Sequence, residues 1–219
     1  MSNAPGSPAR TTTWHVIVPV KSRFRAKARL LPPPEIDKPR LALALALDTL
    51  EAVLQVIPPE RLIVVTEDDE VEAAMARYDV RTVPDPARGL NPAVQAGLAE
   101  AVRRDATVPT AVLLGDLPAL QPADLSAGLR ACAATESALI PDHDGDGSVL
   151  MTHHDPSALA PRFGRGSAAR HARRCTVLEL DLPTLRHDVD DLESLERAVE
   201  LGVGRFTAEA LRDRASGSA

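Results

Sequence analysis

The chain has 219 residues, 44% of them hydrophobic but only 2% aromatic, with a formal net charge of −6. Such a length suits one domain whose core is built from Leu, Val, Ile and Ala. So few stacking rings on a net-acidic chain argue against a groove for single-stranded nucleic acid.

Cys132 and Cys175 stand far apart and form neither a CxxC redox motif nor a zinc knuckle. They read as buried free thiols, compatible with a reducing compartment. Residues 1–13 are small and polar, with no apolar stretch after a basic start, and no later run is long enough to span a membrane. The expectation is a disordered tail over 1–13, one domain over 14–215, a cytoplasmic location and no membrane partner.

Val16–Val20 reads as a first strand, followed by a basic, proline-punctuated loop over 21–34 that contains Lys21, Arg23, Arg25, Lys27 and Arg29. Leu43, Leu47, Leu50 and Leu54 recur at helical spacing and predict a helix over 38–56, with Asp37 as cap and Pro39 in the first turn. Leu62–Val65 is a second strand, with a short helix over 71–76 and a weaker strand over 80–83 beyond it. Asn91 followed by Pro92 predicts a capped helix start, with Val94, Leu98 and Ala101 on one side.

Ala111–Leu114 is short and continuously apolar, as a central strand covered on both faces would be. It runs into Gly115-Asp116-Leu117-Pro118, and Pro122 opens a further helix with Leu125 and Leu129 inward. Ala138–Ile140 and Val149–Met151 flank a loop rich in Asp and Gly. The loop over 161–166 leads into a helix through His171. A late strand is expected over 176–180, a helix after Asp191 marked by Leu192, Leu195 and Val199, and a last helix near Thr207. Alternating strands and helices predict an α/β fold in three layers, with a central mixed, mostly parallel sheet.

Ligands of open α/β sheets bind beyond the carboxyl ends of the strands. Four segments fall there: the basic loop, Asp116, the loop ending at Ser148, and Asp188-Val189-Asp190, whose alternate residues point the same way when extended. Aspartates near lysines and arginines suit a phosphorylated substrate held through Mg²⁺. Other readings stand beside this one. The basic loop can be solvated, Asp116 can cap a turn, and Asp190 stands three before Glu193, a capping-box spacing. There is no GxxxxGK[ST] motif, and no GxGxxG follows the first strand.

These segments together resemble the phosphoenolpyruvate/2-phospho-L-lactate guanylyltransferase family of deazaflavin coenzyme (F-420) biosynthesis, from about His15 to Arg212. The resemblance is carried by Val18-Pro19-Val20-Lys21 with Ala26-Lys27-Ala28-Arg29-Leu30, and by Asp85-Pro86 with Gly89-Leu90-Asn91. It continues through Gly115–Pro118, Gly145–Ser148, Arg162-Phe163-Gly164, Ser167–His171 and Arg186–Asp190. It implies a Rossmann-like nucleotidyltransferase fold and transfer of GMP from GTP to phosphoenolpyruvate, with Mg²⁺ on Asp116, Asp188 and Asp190. It further implies that Ser148, Gly164 and Ser167 recognise the phosphorylated three-carbon acid, with Asn91 on the substrate side.

Lys21, Lys27 and Arg29 are candidates for the triphosphate on charge alone. A helix start at Ser167, after Gly164 and Gly166, is expected to offer free N–H groups to an anion. The resemblance also suggests that the product is handed to the next enzyme of the pathway. Asp146 and Ser148 depart from the family's GTGT element, and a carboxylate beside an anion pocket is tolerated only if it turns away or finds a partner. The alternatives are 2-phospho-L-lactate or 3-phosphoglycerate as acceptor, another sugar or molybdopterin nucleotidyltransferase, or a nucleotide-binding module without turnover.

Overall fold

The computed structural model describes residues 13–24, 26, 30–34 and 36–212; Lys27, Arg29 and nearly all of the expected tail lie outside them. Strand β1 (His15–Val20) is buried at every position. Val16, Val18 and Val20 enter one apolar cluster and Ile17 another, so the strand is covered on both faces. Helix α1 (Lys38–Leu54) starts where expected: the Asp37 side chain accepts from the Arg40 N–H at 3.2 Å, and proline occupies the first turn. Strand β2 (Leu62–Thr66) and helix α2 (Asp69–Ala76) follow. The third strand, β3, sits slightly later than predicted, at Thr82–Pro84.

Helix α3 (Leu90–Asp105) is capped by Gly89, not by Asn91, which lies inside the first turn. Gly97 lets α3 close directly onto β1, since a Cβ there would overlap the Ile17 side chain. Then come β4 (Thr110–Leu113), α4 (Pro122–Cys132), β5 (Ser137–Pro141), β6 (Ser148–His153) and the short α5 (Ser167–His171). The expected late strand shrinks to β7 (Thr176–Val177), whose residues are exposed at the sheet edge and have little to bury. Helix α6 (Leu192–Leu201) buries Leu195 and Ala198, while Leu192 and Val199 are turned outward. Helix α7 (Arg205–Arg212) closes the described part.

The seven strands form one sheet in the order β3-β2-β1-β4-β6-β5-β7. Every neighbouring pair is parallel except the two made by β6. Helices α1, α2 and α4 cover one face with Val16, Val18 and Leu113 in the seam; α3 covers the other with Ile17, Ile63 and Val65. A third cluster joins α1 to α6, α7 and Val189. No helix among the described residues is long and apolar enough to cross a membrane, and Cys132 and Cys175 are both buried and free.

Asp48 of α1 ties the C-terminal helix to the sheet layer. Its two carboxylate oxygens accept from Phe206 N–H at 3.0 Å and Thr207 N–H at 2.8 Å, in a setting where Asp48 itself is buried. Replacing it with alanine leaves two N–H groups of the α7 start without acceptors. Asp48→Ala is therefore expected to cost about 2 kcal/mol in urea unfolding; an unchanged midpoint would show that water replaces the carboxylate at no cost.

Candidate active site

Strands β1, β2, β4 and β5 all point their carboxyl ends to one edge of the sheet, and the turn between β5 and β6 lies at that edge too. A cleft of about 560 Å³ opens there. Lys21 and Ala26 line it from the loop after β1, Gly115 and Asp116 from beyond β4, and Asp142, Asp146, Gly147 and Ser148 from the β5–β6 turn. Phe163, Gly164, Arg165 and Ser167 close a third side, and Asp188 and Asp190 a fourth. All four segments picked out from the sequence thus meet in one place.

Asp116 and the pair Asp188/Asp190 are joined by the backbone. Val189 is fully buried and its N–H donates to the Asp116 carbonyl at 3.0 Å, so its two neighbours face the cleft. Arg186 secures the same segment from the other side. Its guanidinium donates to the carbonyls of Pro141 at 3.1 Å, Asp142 at 2.9 Å and Leu180 at 3.1 Å. One oxygen from each of Asp116, Asp188 and Asp190 lies within 4.8 Å of the others.

Oxygens around a six-coordinate Mg²⁺ at about 2.1 Å stand about 3–4 Å apart, so small side-chain rotations would complete such a set. An all-carboxylate set of hard donors suits Mg²⁺, Mn²⁺ or Ca²⁺. Like charges about 4 Å apart repel by about 4 kcal/mol at an effective dielectric near 20, which a divalent cation between them reverses. The capping-box reading of Asp190 is corrected: the box is formed by Asp191 and Ser194, one residue further along.

The basic loop divides. Lys21 is exposed at the cleft and makes no ion pair among the described residues. Arg23 instead turns to the start of α2. Its backbone N–H donates to Asp68 at 2.9 Å, and its guanidinium pairs with Asp68, with Asp69 at 3.0 Å and with Glu70 at 3.2 Å. Negative groups at a helix N-terminus attract it there, and it is spent on structure. Asn91, expected on the substrate side, has its amide engaged by Phe163: it donates to the carbonyl at 3.1 Å and accepts from the N–H at 2.7 Å.

The acid-side segment holds the largest departure from expectation. At the start of α5 the N–H groups of Gly166, Ser167 and Ala168 are already engaged. The Gly166 N–H donates to the Asp146 carboxylate at 3.0 Å, that of Ser167 to the Gly164 carbonyl at 2.9 Å, and that of Ala168 to the Asp146 carbonyl at 3.0 Å. Asp146 is thus itself the anion satisfied there, which explains how a carboxylate is tolerated beside the pocket.

Ser148 and Ser167 are buried, with their hydroxyls 3.1 Å apart. His171 lies against both the serines and the loop. Its Nε2 accepts from the Arg162 N–H at 2.8 Å and its Nδ1 is 2.9 Å from Ser148 Oγ. Burial and the nearby charges of Arg170 and Arg162 push its pKa down to about 4, so the ring is neutral near pH 7. Sequence reading placed His171 in a helix without a partner, because its contacts sit 9 and 23 residues away.

A parallel-based sheet with three carboxylates and a cleft of about 560 Å³ at its carboxyl edge suits a nucleotide-handling transferase, and the family comparison agrees. The chain belongs to the MobA-like NTP transferase domain family, whose model matches residues 40–181. Of solved structures, a nucleotidyl transferase from Methanothermobacter superposes with a TM-score of 0.54 at 20% identity, over 93% of this chain and 99% of that one. Within the family, the chain is 43% identical to the phosphoenolpyruvate guanylyltransferase of Geodermatophilus obscurus, over 90% of this chain and 94% of the relative. It is 44% identical to that of Salinispora arenicola, over 90% and 93%. The chain therefore belongs to the phosphoenolpyruvate guanylyltransferase family.

Proposed function

We propose that this protein transfers GMP from GTP to the phosphate of phosphoenolpyruvate, releasing pyrophosphate and giving enolpyruvyl-diphospho-5'-guanosine for deazaflavin coenzyme biosynthesis. The observation that carries the reading is the meeting of Asp116, Asp188 and Asp190 in one cleft with Ser148 and Ser167. The names of the close relatives support the same reaction. A phosphate oxygen of the acid attacks the α-phosphorus of GTP, an O–P bond forms, and the bond to the bridging oxygen of pyrophosphate breaks.

Phosphate monoesters have a second pKa of about 6, so the attacking oxygen needs no base. Catalysis then consists of alignment and charge stabilisation. The three aspartates would hold Mg²⁺, which screens the attacking and attacked groups from each other and steadies the departing pyrophosphate. Lys21 would neutralise the triphosphate, with Lys27 and Arg29 as further charges from the same loop.

Ser148 and Ser167 would hold the acid. Gly164, at φ +118° and exposed, would present backbone rather than a side chain to it. The reaction would run in the cytoplasm, a reading that two free thiols support, and its product would pass directly to the next enzyme of the pathway.

The deciding experiment supplies saturating GTP with phosphoenolpyruvate, 2-phospho-L-lactate or 3-phosphoglycerate in turn, following pyrophosphate release and product mass. The highest kcat/KM is expected with phosphoenolpyruvate. An advantage for another acid would change the acceptor and leave guanylyl transfer standing; nucleotide binding with no pyrophosphate from any acid would replace the enzyme by a binding module. Lys21→Ala is expected to raise the KM for GTP about tenfold, as loss of one charge-assisted contact would. An unchanged GTP KM would return Lys21 to the solvated surface.

A further inference from the structure

We propose that His171 is a positioning residue that sets the polarity of the Ser148–Ser167 pair, so that one hydroxyl proton is always delivered into the cleft toward an acceptor-only oxygen of the acid. The direction follows from a bond that cannot be reversed. The Arg162 backbone N–H can only donate, so the Nε2 of His171 that receives it at 2.8 Å carries a lone pair. A neutral ring has a single N–H, which must then be on Nδ1. At 2.9 Å from Ser148 Oγ it donates to that hydroxyl. The depressed pKa of His171 agrees with a neutral ring.

The two serines contribute two hydroxyl protons between them. One is used in the bond that joins them at 3.1 Å. If Ser167 donates to Ser148, Ser148 Oγ accepts twice, from His171 and from Ser167. Its own proton has no acceptor left inside and faces the cleft that both serines line. If the inter-serine bond runs the other way, the exported proton is that of Ser167.

In either case His171 keeps Ser148 from turning its proton inward, and the pair meets substrate as a donor. A donor suits carboxylate or phosphate oxygen and discriminates against a donor-only group, such as an ammonium, offered in the same place. The arrangement is built: Ser148, Ser167 and His171 are each at most 2% exposed, and Phe163 packs edge-on to the imidazole with ring centroids 5.1 Å apart.

This inference rests on the proposed acid site, and two substitutions separate it from a merely structural role. Glutamine puts an amide near the Nε2 position, so His171→Gln can still accept from Arg162 but no longer donates to Ser148. Asparagine puts one near Nδ1, so His171→Asn can donate to Ser148 but leaves Arg162 N–H unanswered. His171→Gln is expected to raise the KM for the acid by roughly ten- to a hundredfold, with the GTP KM changed less than about twofold. His171→Asn is expected to keep the acid KM within about threefold while lowering the melting temperature.

Equal damage by both variants, or a GTP KM that rises with the acid KM, would overturn the proposal. A readout without any variant is ¹⁵N NMR of histidine-labelled full-length protein at pH 7, where His171 is expected as the neutral ring protonated on Nδ1. A cationic ring, or a proton on Nε2, would also overturn it. Failure of every acid to release pyrophosphate would remove the proposed reaction, yet the tautomer measured by NMR would still decide the polarity of the serine pair.

Discussion

Asp116→Asn and Asp190→Asn are each expected to lower guanylyl transfer by about 10²–10³-fold, the range for removing a group aimed at charge that develops in the transition state. Asparagine keeps the shape of the side chain and one carbonyl oxygen, but withdraws a full negative charge from the three-carboxylate set. Part of the lost rate should return at raised Mg²⁺, because the defect is one of cation affinity. The fold should survive, since the backbone bond from Val189 to Asp116 does not involve the side chain.

Asp191 supplies an internal contrast. It caps α6 by accepting from Ser194 N–H at 3.0 Å, so Asp191→Ala should cost about 1 kcal/mol of stability and leave turnover nearly intact. Wild-type kinetics and wild-type Mg²⁺ dependence in both asparagine variants would dismiss the metal assignment. A stability loss at Asp190 with normal kinetics would mean that its task is structural.

Gly115→Ala is expected to lower kcat/KM about a hundredfold and stability by about 1–3 kcal/mol, the cost of overpacking a tight core position and of misplacing reacting groups by a fraction of an ångström. A Cβ at Gly115 would stand 2.8 Å from the Pro19 carbonyl oxygen, 3.1 Å from Val20 Cγ2 and 3.3 Å from Val18 Cγ1. The carbonyl belongs to the backbone and has no rotamer by which to retreat. The ends of β1 and β4 must therefore part, and those ends carry Lys21 and Asp116 into the cleft. The variant acts on alignment without touching a charged group. Paired measurement of thermal unfolding and kcat/KM tests it, and retention of both values would mean that the strand ends yield freely.

What could be read along the chain was whatever rests on near neighbours. β1, β2 and β4 are short apolar runs whose burial is written in their composition, and the Asp37–Pro39 start of α1 depends on contacts three residues apart. The aspartates at strand ends, and their order in a family pattern, likewise lay in the sequence. Tertiary structure decided the tasks of side chains whose partners are far along the chain.

Arg23 answers carboxylates 45–47 residues away, Asn91 a backbone 72 residues away, and Asp146 an N–H 20 residues away. None of these partners can be read along the chain, because charge and hydrogen-bonding capacity are visible in a sequence but their satisfaction is not. The outward turn of Val199 and the inward one of Ala198 have the same origin: helical spacing marks a face, and only the packed neighbour decides which edge of that face it covers. His171 illustrates the limit most plainly. Its residue type allows either tautomer, and a single backbone N–H, brought in by the fold from Arg162, removes one of them.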